Sequence, residues 1–178
     1  MMSTALVSRF QQFWGHYVAT TPQPSLLASM TPAATAATLT ISVISPDPIH
    51  PIKRIQVKGS LDRRADEAFV TNATTLYRQG CRRLIVDLTA TTQLDLAGRF
   101  ALYNVARLFA DVGLLNPEAG WAVLHQAEEP LPVALGDRVK LVASPALAPF
   151  IRQNVFCQEL SIYPTVDSAH IAFDPLSA

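Results

Sequence analysis

The sequence has few cysteines and no excess of charge of either sign. Its two cysteines, Cys81 and Cys157, are too few for a disulfide framework and too far apart for a metal clip, so we expect a reducing, cytoplasmic location. Fourteen Lys plus Arg residues balance fourteen Asp plus Glu residues, which leaves no net field to attract nucleic acid or an anionic membrane surface. We therefore expect no nucleic acid partner.

Long apolar runs and the common catalytic motifs are also missing. No apolar run reaches the roughly 20 residues that cross a bilayer, so we expect no transmembrane segment. The seven glycines form neither a G-x-S-x-G elbow nor a G-x-x-x-x-G-K-[ST] phosphate loop. The four histidines show no spacing typical of metal ligands. We therefore predict no enzyme activity, no catalytic residue, no cofactor and no metal site.

The composition that is present is that of a globular protein with an N-terminal extension. Hydrophobic residues make up 49% of the chain and charged residues 16%, which favours a folded core. Residues 1–19 carry apolar side chains at three- and four-residue steps, as in an amphipathic helix. Residues 20–38 are rich in Pro, Ala and Thr, as linkers are. We expect the helix to dock on its own domain; homo-oligomer formation, another partner or a membrane surface are its alternatives.

Residues 39–178 are predicted to form one α/β domain with the element order ββαβαβαβα. Alternating apolar residues from Leu39 and again from Ile52 predict an antiparallel hairpin. Two amphipathic helices follow, one from Asp62 to Gly80 and one from Asp95 to Gly113, each with an aspartate N-cap and a glycine stop. Residues 114–138 are not required by this alternation and are predicted to be an insertion.

The apolar run Leu84 to Leu88, between the two predicted helices, is typical of a strand covered on both faces. Asp87 is the one acid inside it, where an uncompensated charge would be costly. We interpret Asp87 as an acceptor of hydrogen bonds from the backbone or from Thr89, with catalysis as the less favoured alternative. Further strands are predicted at Val139 and Leu160, followed by helices capped by Ser144 and Thr165.

Three stretches of this domain share the sequence pattern of a known family. They are V-K-G-S-L-D (57–62), L-I-V-D-L-T-x-x-x-x-L-D-L-A-G (84–98) and V-A-S-P-A-L-A-P-F-I (142–151). In this order they resemble the STAS domain, named for sulfate transporters and anti-sigma factor antagonists. The resemblance covers about residues 39–173. It implies a mixed sheet of about five strands with helices packed against it, and a non-enzymatic regulatory domain that binds a protein partner.

The resemblance also indicates that a phosphorylation site is lost. In the antagonist branch of the family the segment after the central strand resembles D-S-S-G, and a serine there is phosphorylated by a partner kinase that is also the anti-sigma factor. Here Asp95 and Gly98 enclose Leu96 and Ala97, which have no hydroxyl group. Thr91 and Thr92, with Thr89, could be substitute phosphoacceptors, although turns favour such residues for their own backbone bonds.

The partner-binding surface implied by the resemblance joins the 59–64 loop to the start of the second helix. It consists of Ser60, Asp62, Arg63, Arg64, Asp95, Leu96, Ala97 and Gly98. The two aspartates could act only as helix caps, and the two arginines could simply be solvated. The partner would be an anti-sigma factor of the kinase type, or the ATPase of a membrane transporter that the domain serves as an accessory subunit. A third interpretation is a small-molecule or lipid-binding domain with residues 114–138 as a lid.

Overall fold

The computed structural model describes residues 37–45, 51–116, 134–153 and 157–173. The predicted N-terminal helix, residues 20–36 of the linker and residues 117–133 of the insertion lie outside the described residues. The described strands are β1 (Thr38–Ser45), β2 (Ile52–Leu61), β3 (Arg83–Asp87), β4 (Thr91–Leu94), β5 (Val139–Val142) and β6 (Ser161–Tyr163). The described helices are α1 (Asp66–Arg78), α2 (Leu96–Phe109), α3 (Leu135–Arg138), α4 (Ala148–Arg152) and α5 (Val166–Ile171).

The strands form one mixed sheet in the order β1-β2-β3-β5-β6, and β4 pairs separately with β2. The predicted hairpin is confirmed, because β1 and β2 are antiparallel with Ile41 opposite Ile55. The other pairs are parallel, as expected for strands joined by helical crossovers. The predicted fold class, a mixed sheet with helices packed against it, is thus confirmed; β4 and the short helix α3 are the elements that the sequence pattern did not indicate.

The central strand β3 is covered on both faces, as its apolar sequence predicted. Leu84 and Val86 point into the larger core, to which α1 and α2 contribute most of the helical residues. Ile85 points into a smaller core that contains Ala169 of α5 and Phe173 after it. The alternation of side chains along a strand therefore divides β3 between two layers of helices. Among the described residues no helix is both long and apolar enough to span a membrane.

Several helix ends differ from their sequence-based positions. The N-cap residue of α1 is Ala65, so the N-cap predicted at Asp62 is wrong. The carboxylate of Asp62 instead accepts the backbone N–H of Arg64 at 2.9 Å, in the turn before the helix. The helix predicted at Ser144 begins only at Ala148, after a turn closed by hydrogen bonds to the Ser144 carbonyl.

The second predicted helix also ends earlier than the sequence indicated. It ends at Phe109, because Asp111 and Gly113 adopt positive φ angles of 63° and 84°, which break a right-handed helix. The predicted stop at Gly80 is confirmed by a φ of 90° directly after α1. The predicted caps at Asp95 and Thr165 are confirmed as well, the latter with a reciprocal capping box to Ser168.

Candidate protein-binding site

Strand pairing brings the two halves of the predicted surface together. The short strand β4 runs parallel to the end of β2, with Ser60 opposite Gln93 and Leu61 opposite Leu94. The N–H of Asp95 then donates to the carbonyl of Leu61 at 3.4 Å. The 59–64 loop and the start of α2, which are far apart in sequence, therefore form one continuous surface.

Gly98 allows α2 to start directly against the end of β2. A Cβ atom at this position would lie 2.9 Å from Cδ1 of Leu94 and only 2.2 Å from the carbonyl oxygen of Leu61, so backbone would have to move to admit it. The Oδ1 atom of Asp95 accepts the N–H of Gly98 at 2.8 Å and so caps the helix. The acid and the glycine of the D-x-x-G segment thus have a structural role in holding the helix terminus on the strand.

The eight predicted partner-binding residues divide into an exposed and a buried group. Arg63, Arg64 and Asp95 are exposed, and Asp62 and Leu96 are partly exposed. The buried group contains Ser60, Ala97 and Gly98. The first five can touch a partner directly. The other three support the backbone beneath them; the hydroxyl of Ser60, for example, donates to Oε1 of Gln93 at 3.1 Å.

The two predicted substitute phosphoacceptors lie in strand β4, not in a turn as expected. The hydroxyl of Thr91 donates to the carbonyl of Val57 at 3.1 Å, so it links β4 to β2. Thr92 is exposed beside it. Thr89 lies in the turn between β3 and β4, where its hydroxyl is bonded to Asp87. The hydroxyl groups of Thr89 and Thr91 thus take part in bonds within the domain, whereas Thr92 is exposed and takes part in neither of these bonds.

Asp87 fixes the turn that leads from β3 into β4. Its Oδ1 atom accepts the backbone N–H of Thr89 at 2.9 Å and the Thr89 hydroxyl at 2.7 Å, which confirms the predicted role. Its Oδ2 atom pairs with Arg54 and lies 3.4 Å from Nε2 of Gln56. Burial alone would raise the pKa of Asp87, but the hydrogen bonds from Thr89 and Arg54 outweigh it and hold that pKa below its usual value.

The cation that balances Asp87 was not found by the sequence reasoning. Arg54 lies on β2, and the parallel register that places Gln56 opposite Asp87 also brings Arg54 to the same face of the sheet. The sequence contained one sign of this ion pair, namely that Arg54 is a charged residue within a predicted strand. Its partner could be named only once the register was known.

A second acid lies close to Asp95 at the start of α1. Burial raises the pKa of Asp66, and the nearby negative charge of Asp95 raises it further, against the lowering effects of the Glu67 amide and Arg63. The site therefore places two acids beside the exposed arginines. The described residues contain no group of three or more His, Cys, Asp or Glu side chains that could hold a metal ion.

The described fold resembles that of a solved anti-sigma factor antagonist. An anti-sigma factor antagonist from Mycobacterium paratuberculosis matches with a TM-score of 0.51 and 20% sequence identity, over 76% of this chain and 94% of that chain. The anti-sigma factor antagonist SpoIIAA, in its unphosphorylated form, matches with a TM-score of 0.41 and 12% identity, over 75% and 94%. No protein-family model and no curated protein matches the chain. The first structural match shows a STAS-like fold, as the three sequence stretches predicted.

Proposed function

We propose that this STAS-like domain is a non-enzymatic regulatory module that binds a protein partner in the manner of an anti-sigma factor antagonist. The observation that carries the proposal is the joining of the 59–64 loop to the start of α2 through β4, with Arg63, Arg64, Asp95 and Leu96 on its outer side. Such a surface places one apolar side chain among charged groups, and protein interfaces likewise surround apolar contacts with a polar rim. Two free, buried cysteines in the described residues agree with a reducing cytoplasmic location.

We further propose that phosphorylation at residues 95–98 does not switch this module. A phosphate brings about −1.5 to −2 charges, and at a helix N-terminus it would interact with the exposed N–H groups and the helix dipole. Leu96 and Ala97 carry no hydroxyl group that could accept it. Partner binding would then depend on the concentrations of the two proteins and not on a kinase at this position.

The binding surface is tested by Leu96→Asp, with Ile171→Asp as the matched control. Ile171 is an exposed apolar residue on α5, outside the proposed surface. Immobilised wild-type chain and both variants are incubated with extract of the native host, and the retained proteins are identified by mass spectrometry. We expect one partner to be retained by the wild type and by Ile171→Asp but lost with Leu96→Asp. The proposal is wrong if the three retain the same proteins to the same extent.

Calorimetry with the purified partner then measures the affinity. We expect Leu96→Asp to weaken binding at least about tenfold, or about 1.4 kcal/mol, because a carboxylate would have to be desolvated at the contact. Arg64→Glu should weaken it as well if the partner surface is acidic. The identity of the partner separates the two candidate classes, since an anti-sigma factor and a transporter ATPase are distinguishable from their peptides.

Phosphorylation is tested on the same complex. If the partner is a kinase, incubation with Mg-ATP should leave residues 95–98 unmodified in peptide mapping. Thr91 and Thr92 lie in the same tryptic peptide, residues 84–99, so fragmentation of this peptide assigns any phosphate to one residue in the same experiment. Stoichiometric labelling of either threonine would overturn the view that this surface is uncoupled from phosphorylation.

A further inference from the structure

A cleft of about 410 Å³ opens between α1 and α2, next to the candidate protein-binding site. The buried residues Phe100, Ala101 and Leu115 line it, and Val70 contributes from α1. Its volume lies within the range of roughly 300–1,000 Å³ that is usual for small-molecule sites, and such sites are mostly apolar with a few polar groups. The cleft therefore has the size and the lining of a ligand site.

One wall of the cleft is held in place by a pair of buried hydrogen bonds. The side-chain amide of Asn104 donates to the carbonyl of Leu115 at 3.1 Å, and the N–H of Leu115 donates to Oδ1 of Asn104 at 2.9 Å. These bonds fix Leu115 to α2. A wall that is already ordered costs a ligand less entropy on binding.

Three charged side chains line the cleft, and two of them are acidic. Asp66 and Glu67 are consecutive residues in the first turn of α1, and both line the cleft together with Arg63. The helix dipole stabilises acidic side chains in the first turn of a helix. This stabilisation does not require the side chain to be buried, yet Asp66 is half-buried. The burial of Asp66 and the charge of Asp95 oppose its ionisation more strongly than the Glu67 amide and Arg63 favour it. A bound cation would reduce this electrostatic cost.

We propose that the cleft binds a small organic cation, namely an ammonium or guanidinium group attached to an apolar body. The apolar body would lie on Val70, Phe100 and Leu115, and the cationic group would face Asp66 and Glu67. The proposal goes beyond the protein-binding function and does not depend on it, because the cleft is lined mainly by residues outside the proposed protein-binding surface. The two share Arg63, and the charge of Asp95 acts on Asp66 in the cleft.

The probe is 2-phenylethylammonium, and the matched control ligand is 2-phenylethanol, which has the same ring and chain but no charge. Each is titrated to about 10 mM into the full-length ¹⁵N-labelled chain, a concentration at which ligands of this size are detectable at ordinary ligand efficiency. We expect the ammonium to shift amides of residues 66–71, 100–104 and 115, and the alcohol to bind at least about tenfold more weakly. Equal binding of both ligands, shifts elsewhere, or no shifts with the ammonium would overturn the proposal.

Two variants separate the charge from the cavity. The double change Asp66→Asn with Glu67→Gln should weaken binding of the ammonium about tenfold, whereas Asp167→Asn, in the first turn of α5, should leave it unchanged. Thr71→Phe places a ring into the cleft from an exposed position and should abolish binding of both ligands without loss of the fold. Full affinity in the double variant contradicts the role of the acids. Full affinity in Thr71→Phe contradicts the location.

Discussion

Gly98 is the residue on which the junction between β2 and α2 depends. Its φ angle is not the reason, since the residue lies inside a right-handed helix. The reason is the space beside it: an added Cβ atom would lie 2.2 Å from the carbonyl oxygen of Leu61. Gly80 is the opposite case, with a φ angle of 90° and open space around the missing Cβ.

We expect Gly98→Ala to lower the free energy of unfolding by at least about 2 kcal/mol, because backbone must move to admit the methyl group. Gly80→Ala is the control and should cost about 1 kcal/mol, the ordinary penalty of a left-handed conformation. Denaturant unfolding of the two variants measures both values. A smaller loss for Gly98→Ala than for Gly80→Ala would contradict the close approach of α2 to β2.

Asp87 makes the stability of the domain depend on pH on the acid side. Its pKa in the folded state is lower than its ordinary value of 3.8, so the folded state favours the charged form. Its contribution is therefore complete above about pH 4 and is lost as the pH falls through the folded pKa.

Asp87→Asn should lower the free energy of unfolding at pH 7 by about 1.5–3 kcal/mol, the usual worth of hydrogen bonds to a charged group. It should also flatten the fall in stability below pH 4. Denaturant unfolding from pH 7 to pH 3 measures both effects, with Asp167→Asn as an exposed control. If the stability of Asp87→Asn falls below pH 4 as steeply as that of the wild type, the bonds from Arg54 and Thr89 to Asp87 are not the cause of the acid sensitivity.

These two residues also show which contacts a sequence can predict. The bonds from Thr89 to Asp87 and from Gly98 to Asp95 span two and three residues, so local spacing was sufficient to predict them. The bond from Arg54 to Asp87 spans 33 residues and depends on strand register. The resemblance placed Leu96 and Ala97 together, but only the structure distinguishes the partly exposed leucine from the buried alanine.

At the level of elements, α2 has a cap that is also part of the candidate binding surface. The carboxylate of Asp95 caps the helix by accepting the N–H of Gly98, and the amide oxygen of an asparagine could accept this bond equally well. The charge of Asp95 is therefore separable from its cap. This separation distinguishes a purely structural aspartate from one that also contacts a partner.

Asp95→Ala should lower the free energy of unfolding by about 1 kcal/mol, whereas Asp95→Asn should stay within about 0.5 kcal/mol of the wild type. Thr165→Ala, which removes the corresponding cap of α5, is the reference for a cap with no proposed contact to a partner. If Asp95→Asn retains stability but binds the captured partner more weakly, the charge itself is recognised. Equal stability of Asp95→Ala and wild type would contradict the capping role.

The elements that the sequence did not predict are short and depend on tertiary contacts. Strand β4 has the sequence TTQL, which lacks an apolar alternation, and it exists because β2 offers it three pairing positions. Helix α3 has four residues, too few for a periodic pattern. Long periodic segments such as α1, α2 and β3 were predicted because burial of one or both faces constrains every second or every third to fourth residue.

For the molecule as a whole, the balance of charge conceals a local cluster of charged side chains of both signs. The chain has no net formal charge at neutral pH, yet Asp66, Glu67 and Asp95 lie close to Arg63 and Arg64 at one edge of the described domain. Composition alone showed that the chain carries no net charge, but it could not place these residues together. The sheet order and the pairing of β2 with β4 determine their position.

The two thiols report on the integrity of the whole domain. Cys81 and Cys157 are free and at most 1% exposed, and they lie in the same core below α1 and α2. Burial raises the pKa of both thiols, that of Cys157 to about 12. Because only the thiolate reacts with disulfide reagents, both groups are protected by pKa as well as by access.

We therefore expect neither cysteine to react with 5,5′-dithiobis(2-nitrobenzoate) at pH 8 within minutes in native buffer, and both to react at once in concentrated guanidinium chloride. At intermediate denaturant we expect the labelling rate to follow the global unfolding transition measured by circular dichroism, because α1, α2 and the sheet share the core that covers both thiols. Cys81→Ser isolates the signal of Cys157, whose Sγ lies 3.6 Å from the carbonyl of Arg99 in α2. Fast labelling of Cys157 in native buffer would mean that α2 separates from the sheet without global unfolding. In that case Leu96, the first residue of α2, would move with the helix, and the proposed binding surface would not keep a fixed geometry.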